Sequence, residues 1–431
     1  MNKNVNIAIV GLGQVGNYLL NELNIKKNEI ELKTGKRINI VALSAKNINK
    51  KRKFKINKKI FFKNPLDIFK NKNIDILFEV IGLSDGMSKK LVETALRNKI
   101  HVITPNKALI AKHGDQLSKI AEKNKVNLEF EASVAGGIPI LRTIKEGLAT
   151  NKISKVYGIL NGTTNYILTE MENSNDIFTN VLKKAQSLGY AEPGNPKLDL
   201  NGEDAFAKVR ILSSLSFNNK ISKQKCLMEG IEDIELKDIE MADQLNLRIK
   251  LLGVSEMINN QLFETVHPTM VSKNSYIGNV NGVMNAVIIE GKPIGETVLQ
   301  GEGAGPGPTS SSLLSDLLSI LRGNIKHPFG ISSKKRKIIK CYNLDNYSNS
   351  LYLRFIVKDK PGVLSEITNR LAKYKISVKR IIQTPDKKNN KATIVIITHK
   401  TTELNSKNCL SIFKKNKNII KKPVYIRVAN F

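Results

Sequence analysis

Apolar positions follow two rhythms along the chain, and the change near residue 134 is the first guide to its organisation. Val5–Val10 is apolar and β-branched and predicts a buried strand. After a glycine loop, Val15, Leu19, Leu20 and Leu23 recur at helical spacing, and the polar stretch 24–37 predicts the helix end and a loop. Ile38–Leu43 predicts a second strand, a helical stretch lies around 65–72, and Ile74–Ile81 predicts a third strand. Ser88–Asn98 predicts a helix, Ile100–Thr104 a strand, 107–124 a helix and Val126–Glu131 a strand. Strands alternating with helices imply a parallel sheet covered on both faces.

Past residue 134 the order is less regular. A glycine pair, Gly136–Gly137, precedes a helix predicted over 138–149. Gly301–Pro308 is dense in Gly and Pro and predicts a loop. Thr309 or Ser310 is then expected to cap a helix carrying Leu313, Leu314, Leu317, Leu318 and Leu321. Residues 330–349 are polar and basic, as a linker would be. From Leu351 onward the order is strand, helix, strand, strand, helix, strand. The divisions expected are 1–133, 134–330 (with helix 309–321 packing back on the first), a linker 331–349, and 350–431.

A chain of 431 residues suits about three domains. The hydrophobic fraction of 41% is that of a globular protein. No apolar run approaches the ~20 residues of a membrane span, and the N-terminus lacks the apolar core of a signal peptide. Cys226, Cys341 and Cys409 show no metal spacing, so a cytoplasmic protein with no membrane partner is expected. The net charge of +31 raises nucleic acid as a partner. The lysines are spread along the whole chain with no aromatic residues interleaved, which favours compositional bias over a nucleic-acid surface.

The glycine loop Gly11-Leu12-Gly13-Gln14-Val15-Gly16 sits between a buried strand and a helix, the setting a dinucleotide pyrophosphate needs. Gly11 permits the tight turn, Gly13 admits the phosphates and Gly16 lets the helix approach the strand. The second strand ends in Leu43-Ser44-Ala45-Lys46, without the carboxylate that selects NAD; Ser44 and Lys46 favour NADP. Thr104-Pro105-Asn106-Lys107 ends a parallel strand at the ligand-binding edge of such a sheet. Asn161-Gly162-Thr163-Thr164-Asn165 is a polar turn between apolar flanks. Asp204 and Lys208, four apart on a helix, share a face, and Glu192 and Asp199 precede them. Carboxylates clustered beside a lysine suit an ammonium-bearing substrate and a general acid.

Together these segments resemble homoserine dehydrogenase, from the glycine loop to the helix at 309–321. The strings that carry the resemblance are TPNKALIA (104–111), EASVAGGIPI (131–140), GILNGTTNYIL (158–168), GYAE (189–192) and LDLNGEDAFAK (198–208). The resemblance implies reversible reduction of L-aspartate 4-semialdehyde to L-homoserine with NADPH or NADH, on the route to threonine, methionine and isoleucine. It implies Lys208 as proton donor, Lys107 as a second lysine near the nicotinamide, and Glu192 and Asp204 as holders of the substrate's amino end, with Asp199 nearby. It further implies a monovalent cation, Na+, on the backbone carbonyls of Glu131, Val134, Gly136 and Ile138. The segment Gly301–Pro308, including Gly303, resembles the part that closes over the cofactor. The fold class expected is α/β: a Rossmann domain, an α/β catalytic and dimerisation domain, and a C-terminal unit.

That C-terminal unit resembles an ACT domain through Asp359-Lys360-Pro361-Gly362-Val363-Leu364 and Ile376-Ser377-Val378, leading to Gln383. This implies a βαββαβ fold, threonine as an effector and pairing of copies into a homodimer or homotetramer. The sequence departs from the family where Glu192 and Asp199 are one residue further apart than usual, with Gly194-Asn195 carrying the extra residue. Asn195 also stands where an Asp is common, and Pro105 where an Ala is common. Two other readings compete. An aspartate-semialdehyde dehydrogenase needs a reactive cysteine, for which none of the three has a context. A non-catalytic nucleotide-sensing or nucleic-acid-binding protein would not need the cluster of Glu192, Asp204 and Lys208.

Overall fold

The computed structural model describes residues 3–47, 57–71, 73–224, 226–386, 389–413 and 416–429. Most of the densest basic run, 50–59, lies outside them. The first unit comprises β1 (Asn4–Val10), α1 (Gln14–Ile25), α2 (Lys27–Thr34), β2 (Arg37–Ser44), β3 (Phe61–Phe62), α3 (Ile68–Asn71), β4 (Ile76–Glu79), α4 (Met87–Arg97), β5 (His101–Ile103), α5 (Lys107–Asn124) and β6 (Leu128–Glu129). All its strand pairings are parallel, in the order β3-β2-β1-β4-β5-β6. With strands on both sides and helices on both faces, β1 has no exit to water, which is why Ile7–Val10 is apolar without alternation and fully buried. The strand order reverses between β1 and β4. The loops after β1, β4 and β5 therefore open into one crevice at the carboxyl edge.

The polar stretch 24–37 is not a loop but contains a second helix, α2. Only Ile30 of it is buried. Its support is local: Lys33 reaches Glu29 at 2.6 Å, and Gly35 ends it in the left-handed conformation at φ 66°.

The second unit comprises α6 (Ile140–Arg142), β7 (Lys152–Ile159), α7 (Gly162–Ser174), α8 (Phe178–Ser187), α9 (Lys197–Leu200), α10 (Glu203–Ser216), β8 (Leu227–Met228), α11 (Leu236–Gln244), β9 (Leu247–Ile258), β10 (Gln261–Ser272), β11 (Met284–Lys292), β12 (Gly295–Glu302) and α12 (Pro306–Leu321). The helix predicted over 138–149 is α6 continued by a wider π-helical turn, Thr143–Gly147, closed by Leu148 N donating to Thr143 O at 2.8 Å.

The expected loop 301–308 is shorter than its glycines and prolines suggest. Gly301 and Glu302 still belong to β12, paired with Asn285 and Met284. The helix starts at Pro306, capped by Gly305 and not by Thr309 or Ser310. Proline is tolerated in a first helical turn, where its missing N–H would be unpaired anyway. Leu313, Leu317, Ile320 and Leu321 then pack against Leu19, Leu20 and Leu23 of α1, each burial contributing about 2 kcal/mol.

The third unit is β13 (Ser348–Lys358), α13 (Val363–Lys373), β14 (Val378–Asp386), β15 (Lys391–Thr398), β16 (Thr401–Thr402), α14 (Glu403–Phe413) and β17 (Val424–Val428). Its sheet is not separate. One sheet runs β12-β11-β7-β9-β10-β17-β13-β15-β14, with β8 on β10 and β16 on β13. Residues 330–349 are packed as they cross to it. Arg336 is buried and donates to Asn219 O at 3.0 and 2.8 Å, and Leu262 N donates to Lys340 O at 2.9 Å.

Candidate active site

The crevice begins at the glycine loop. A Cβ on Gly11, at φ 102°, would lie 2.4 Å from Val80 O, and one on Gly16 would lie 1.9 Å from Gly11 O. Only glycine fits at either position. Gly13 instead faces open space. It precedes α1 without a side-chain cap, so the first N–H groups of that helix, at Gln14 and Val15, are left for an anion. These residues fit a dinucleotide pyrophosphate. The two second-strand residues do different work. Ser44 is fully buried and its carbonyl accepts from Gly11 N at 2.9 Å, which ties the loop to β2. Lys46 is exposed at the end of the strand.

Glu79, at the end of β4, is buried and organises the next loops. It accepts from Ile81 N, Ser88 Oγ and Thr104 Oγ1 at 2.9, 2.9 and 2.6 Å. Asn106 caps α5 by accepting from Leu109 N at 3.0 Å, which fixes Lys107 in the first turn. A cation there is opposed by the helix dipole, so it needs a carboxylate partner.

Asp204 is that partner, and it holds two lysines. Its Oδ1 is 2.7 Å from Lys107 Nζ, and its Oδ2 is 2.8 Å from Lys208 Nζ. Lys208 is buried and also donates to Leu160 O at 2.6 Å. Asn161 closes the group: its Nδ2 donates to Asp199 Oδ1 at 2.8 Å and Asp204 Oδ2 at 2.9 Å, while its Oδ1 caps α7. The structure thus assembles Lys107, Asp199, Asp204 and Lys208 from three segments. Glu192 is exposed on the neighbouring loop, near enough for its charge to act on Lys107.

The electrostatics separate the two lysines. Burial pulls Lys208 below its ordinary value, the charge of Lys107 adds to this, and Asp204 offsets it only in part. Burial also opposes the charge on Lys107, but Asp204, Asp199 and Glu192 outweigh it and raise that group. Asp204 resists burial because both lysines hold it well below the carboxylate range. Asp199 is raised by burial and by the neighbouring charge of Asp204. The arrangement provides a charged carboxylate, Asp204, with a second carboxyl group at Asp199, beside a buried acid whose proton is loosely held.

Other expected positions lie away from this cluster. The Glu131 carboxylate caps α6, accepting from Leu141 N and Arg142 N at 2.8 Å each. In the turn that follows, Ala135 and Gly136 both have left-handed backbone, at φ 52° and 44°. Gly136 O accepts from Ser312 Oγ at 2.7 Å and Ile138 O from Ile140 N at 2.8 Å. Gly303 is wedged in the same place: a Cβ on it would meet Asn285, and its carbonyl abuts Gly136. Among the described residues no group of three or more His, Cys, Asp or Glu is placed to hold a metal. The cysteines are free, and burial pushes the Cys226 and Cys409 thiols up to about 12, far from a reactive nucleophile. No helix among the described residues is long and apolar enough to cross a membrane.

Asn161 stands in the polar turn that the sequence marks, but its bridge between the two carboxylates is not legible there. Its position just before a helix marks it as a cap and gives no sign of the second role.

Known proteins match along the whole chain. A family model described as the NAD-binding domain of homoserine dehydrogenase matches residues 11–131, one described as homoserine dehydrogenase matches 139–318, and an ACT domain model matches 351–417. The homoserine dehydrogenase of Neisseria gonorrhoeae is 37% identical over 416 residues, 95% of either chain. The crystal structure of a homoserine dehydrogenase from Thiobacillus denitrificans superposes with a TM-score of 0.91 at 33% identity, covering 99% of this chain and 98% of that one. A hyperthermophilic archaeal homoserine dehydrogenase mutant in complex with NADPH gives a TM-score of 0.60 at 25% identity, covering 73% of this chain and 97% of that one.

Proposed function

Because the chain belongs to the homoserine dehydrogenase family, we propose that it reduces L-aspartate 4-semialdehyde reversibly to L-homoserine with a nicotinamide dinucleotide, Lys208 acting as proton donor. The observation that carries this assignment is the Asp204 carboxylate held between Lys107 and Lys208 at 2.7 and 2.8 Å. The dinucleotide, when bound, supplies hydride to the aldehyde carbon. Gly11 and Gly16 shape its loop, and Gly13, Gln14 and Val15 face its pyrophosphate. As charge grows on the aldehyde oxygen, Lys208 passes it a proton, and Lys107, kept cationic, stabilises the remaining charge. Asp204, Asp199 and Glu192 receive the substrate's ammonium group, and Asn161 holds the two aspartates together by donating to both.

NADP is the favoured form of the cofactor. The support is the exposed Lys46 at the end of β2, where no carboxylate would repel a 2′-phosphate, and the archaeal relative solved with NADPH. Ser44, being buried, serves the shape of the loop. The turn Glu131–Ile138, with its two left-handed residues and the carbonyls of Glu131, Val134, Gly136 and Ile138, is the candidate seat for Na+. The ACT domain is the candidate site for threonine as feedback effector. Its edge strand β14 is largely exposed, which suits pairing with a second copy into at least a dimer. The free cysteines suit a reducing, cytoplasmic setting.

The direct test follows semialdehyde-dependent oxidation of NADPH and of NADH, with and without threonine. The expected result is turnover with both, a higher kcat/KM with NADPH, and inhibition by threonine. Absence of semialdehyde-dependent oxidation with either dinucleotide overturns the assignment.

A further inference from the structure

A buried charge cluster remains that the reaction does not use. It lies where the last strand of the C-terminal domain joins the central sheet. β17 runs parallel to β10, Arg427 beside Thr269 and Val428 beside Met270. Arg427 is 1% exposed. Its Nε and Nη2 donate to Glu403 at 2.6 and 3.0 Å, and its Nη1 donates to Glu229 Oε2 at 2.6 Å. Tyr425 Oη donates to Glu229 Oε1 at 2.7 Å. His267 beside them is pushed down to about 3 by burial and by Arg427, so it stays neutral and adds no competing charge.

Glu229 belongs to the catalytic domain, and its neighbours lead to the substrate carboxylates. Its N–H donates to Val266 O at 2.8 Å. A Cβ on the next residue, Gly230, would lie 2.1 Å from Leu200 O and 2.7 Å from Asn201 Cα. Ile231 N donates to that same Leu200 O at 3.0 Å. Leu200–Gly202 is the short joint between Asp199 and the helix bearing Asp204 and Lys208. Backbone contact of this closeness leaves the joint no freedom to move toward residues 229–231.

We propose that Glu229 and Arg427 are positioning residues for the substrate's ammonium site. Through Arg427 the C-terminal domain holds residues 229–231 against the Leu200–Gly202 joint and so fixes Asp199 relative to Asp204. This rests on the assignment of those two aspartates to the substrate's amino end.

The test is made on the full chain. Glu229 borders a cavity of about 680 Å³ that Glu232, Asp233, Lys421 and Lys422 also line, so truncating it admits water and does not leave a dry void. Arg427 is a poorer choice, because its loss strands the buried Glu403. Glu229→Ala is expected to raise KM for aspartate 4-semialdehyde about tenfold, with KM for NADPH held within about twofold. Gly230→Ala, which displaces the joint without touching the ion pair, should give the same split. Glu229→Gln, whose amide oxygen can still accept from Arg427 while its NH2 donates to Tyr425 Oη, should recover most of the loss. Thermal midpoints measured alongside report the folding of each variant, and Gly230→Ala decides the matter if Glu229→Ala does not fold. The inference is overturned if both KM values rise together, or if KM for the semialdehyde stays within about twofold in folded Glu229→Ala, or in Gly230→Ala where Glu229→Ala does not fold. Asp199→Asn and Asp204→Asn separate the two levels. If neither raises KM for the semialdehyde, the substrate assignment falls and the positioning role with it; if they raise it while the Glu229 and Gly230 variants do not, only the positioning role falls.

Discussion

Lys208 and Lys107 touch the same carboxylate, yet their surroundings push their proton affinities in opposite directions. With Lys208 as the proposed proton donor, reduction needs it protonated. Because its affinity is lowered, it loses its proton below the ordinary lysine value of 10.5. The rate of reduction should therefore fall as pH rises through a limb below that value, and oxidation of homoserine should rise across the same limb. Lys208→Arg, which does not deprotonate in this range, should abolish the limb in a pH–rate profile taken at saturating substrate. Lys208→Met should lower kcat by about 10²–10⁴ while dinucleotide affinity, read by NADPH fluorescence, changes little; wild-type turnover of that variant would remove the proton-donor role. The pair Asp204–Lys208 was legible because four residues of helix place two side chains on one face. Asn161 was not, because its two carboxylates come 38 and 43 residues later in the chain and only the fold brings them to it.

Among the elements, α12 shows where local signals mislead and where periodicity does not. Its first residues, Pro306-Gly307-Pro308, have the composition of a loop, yet they form a helical turn because nothing in a first turn needs the proline N–H. The leucine spacing further along gave its buried face correctly, since that face is set by packing on α1. The two-residue strand β3 and the polar helix α2 escaped notice for the converse reason: neither buries a periodic apolar face. α12 also joins the domains, because Asp316 accepts from Arg142 Nη2 of α6 at 3.2 Å while its leucines face the first unit. Leu317→Ala should cost about 3 kcal/mol in denaturant unfolding. Since α1 carries the pyrophosphate-binding end, the same variant should raise KM for NADPH more than KM for the semialdehyde. An unchanged unfolding midpoint would mean that this contact does not hold the helix in place.

For the molecule as a whole, the unexpected feature is a sheet that continues from the catalytic domain into the C-terminal one. The sequence reading divides these domains by a linker, which composition suggests because the crossing residues are polar. Their packing, through Arg336 onto Asn219 and Lys340 onto Leu262, depends on partners far away in the chain. The join is also charged. Asp238 of α11 is buried and receives Tyr352 and Arg354 of β13 at 2.9 and 2.6 Å, just as Glu229 receives Arg427. A chain ended at Tyr347 removes these cations and frees the β10 edge at Thr269 and Met270. The archaeal relative is spanned almost whole by 73% of this chain, so a shorter form of the fold is expected to stand without the remainder. The shortened chain should unfold at a lower temperature, since Asp238 and the β10 edge both lose the groups that pair with them. It should also lose any response to threonine. Its KM for the semialdehyde should rise as in Glu229→Ala, because residues 229–231 lose their anchor on β17. Steady-state kinetics on a folded, shortened protein check this directly: retention of the full-length KM would show that the catalytic domain sets its substrate carboxylates without help from the domain that follows.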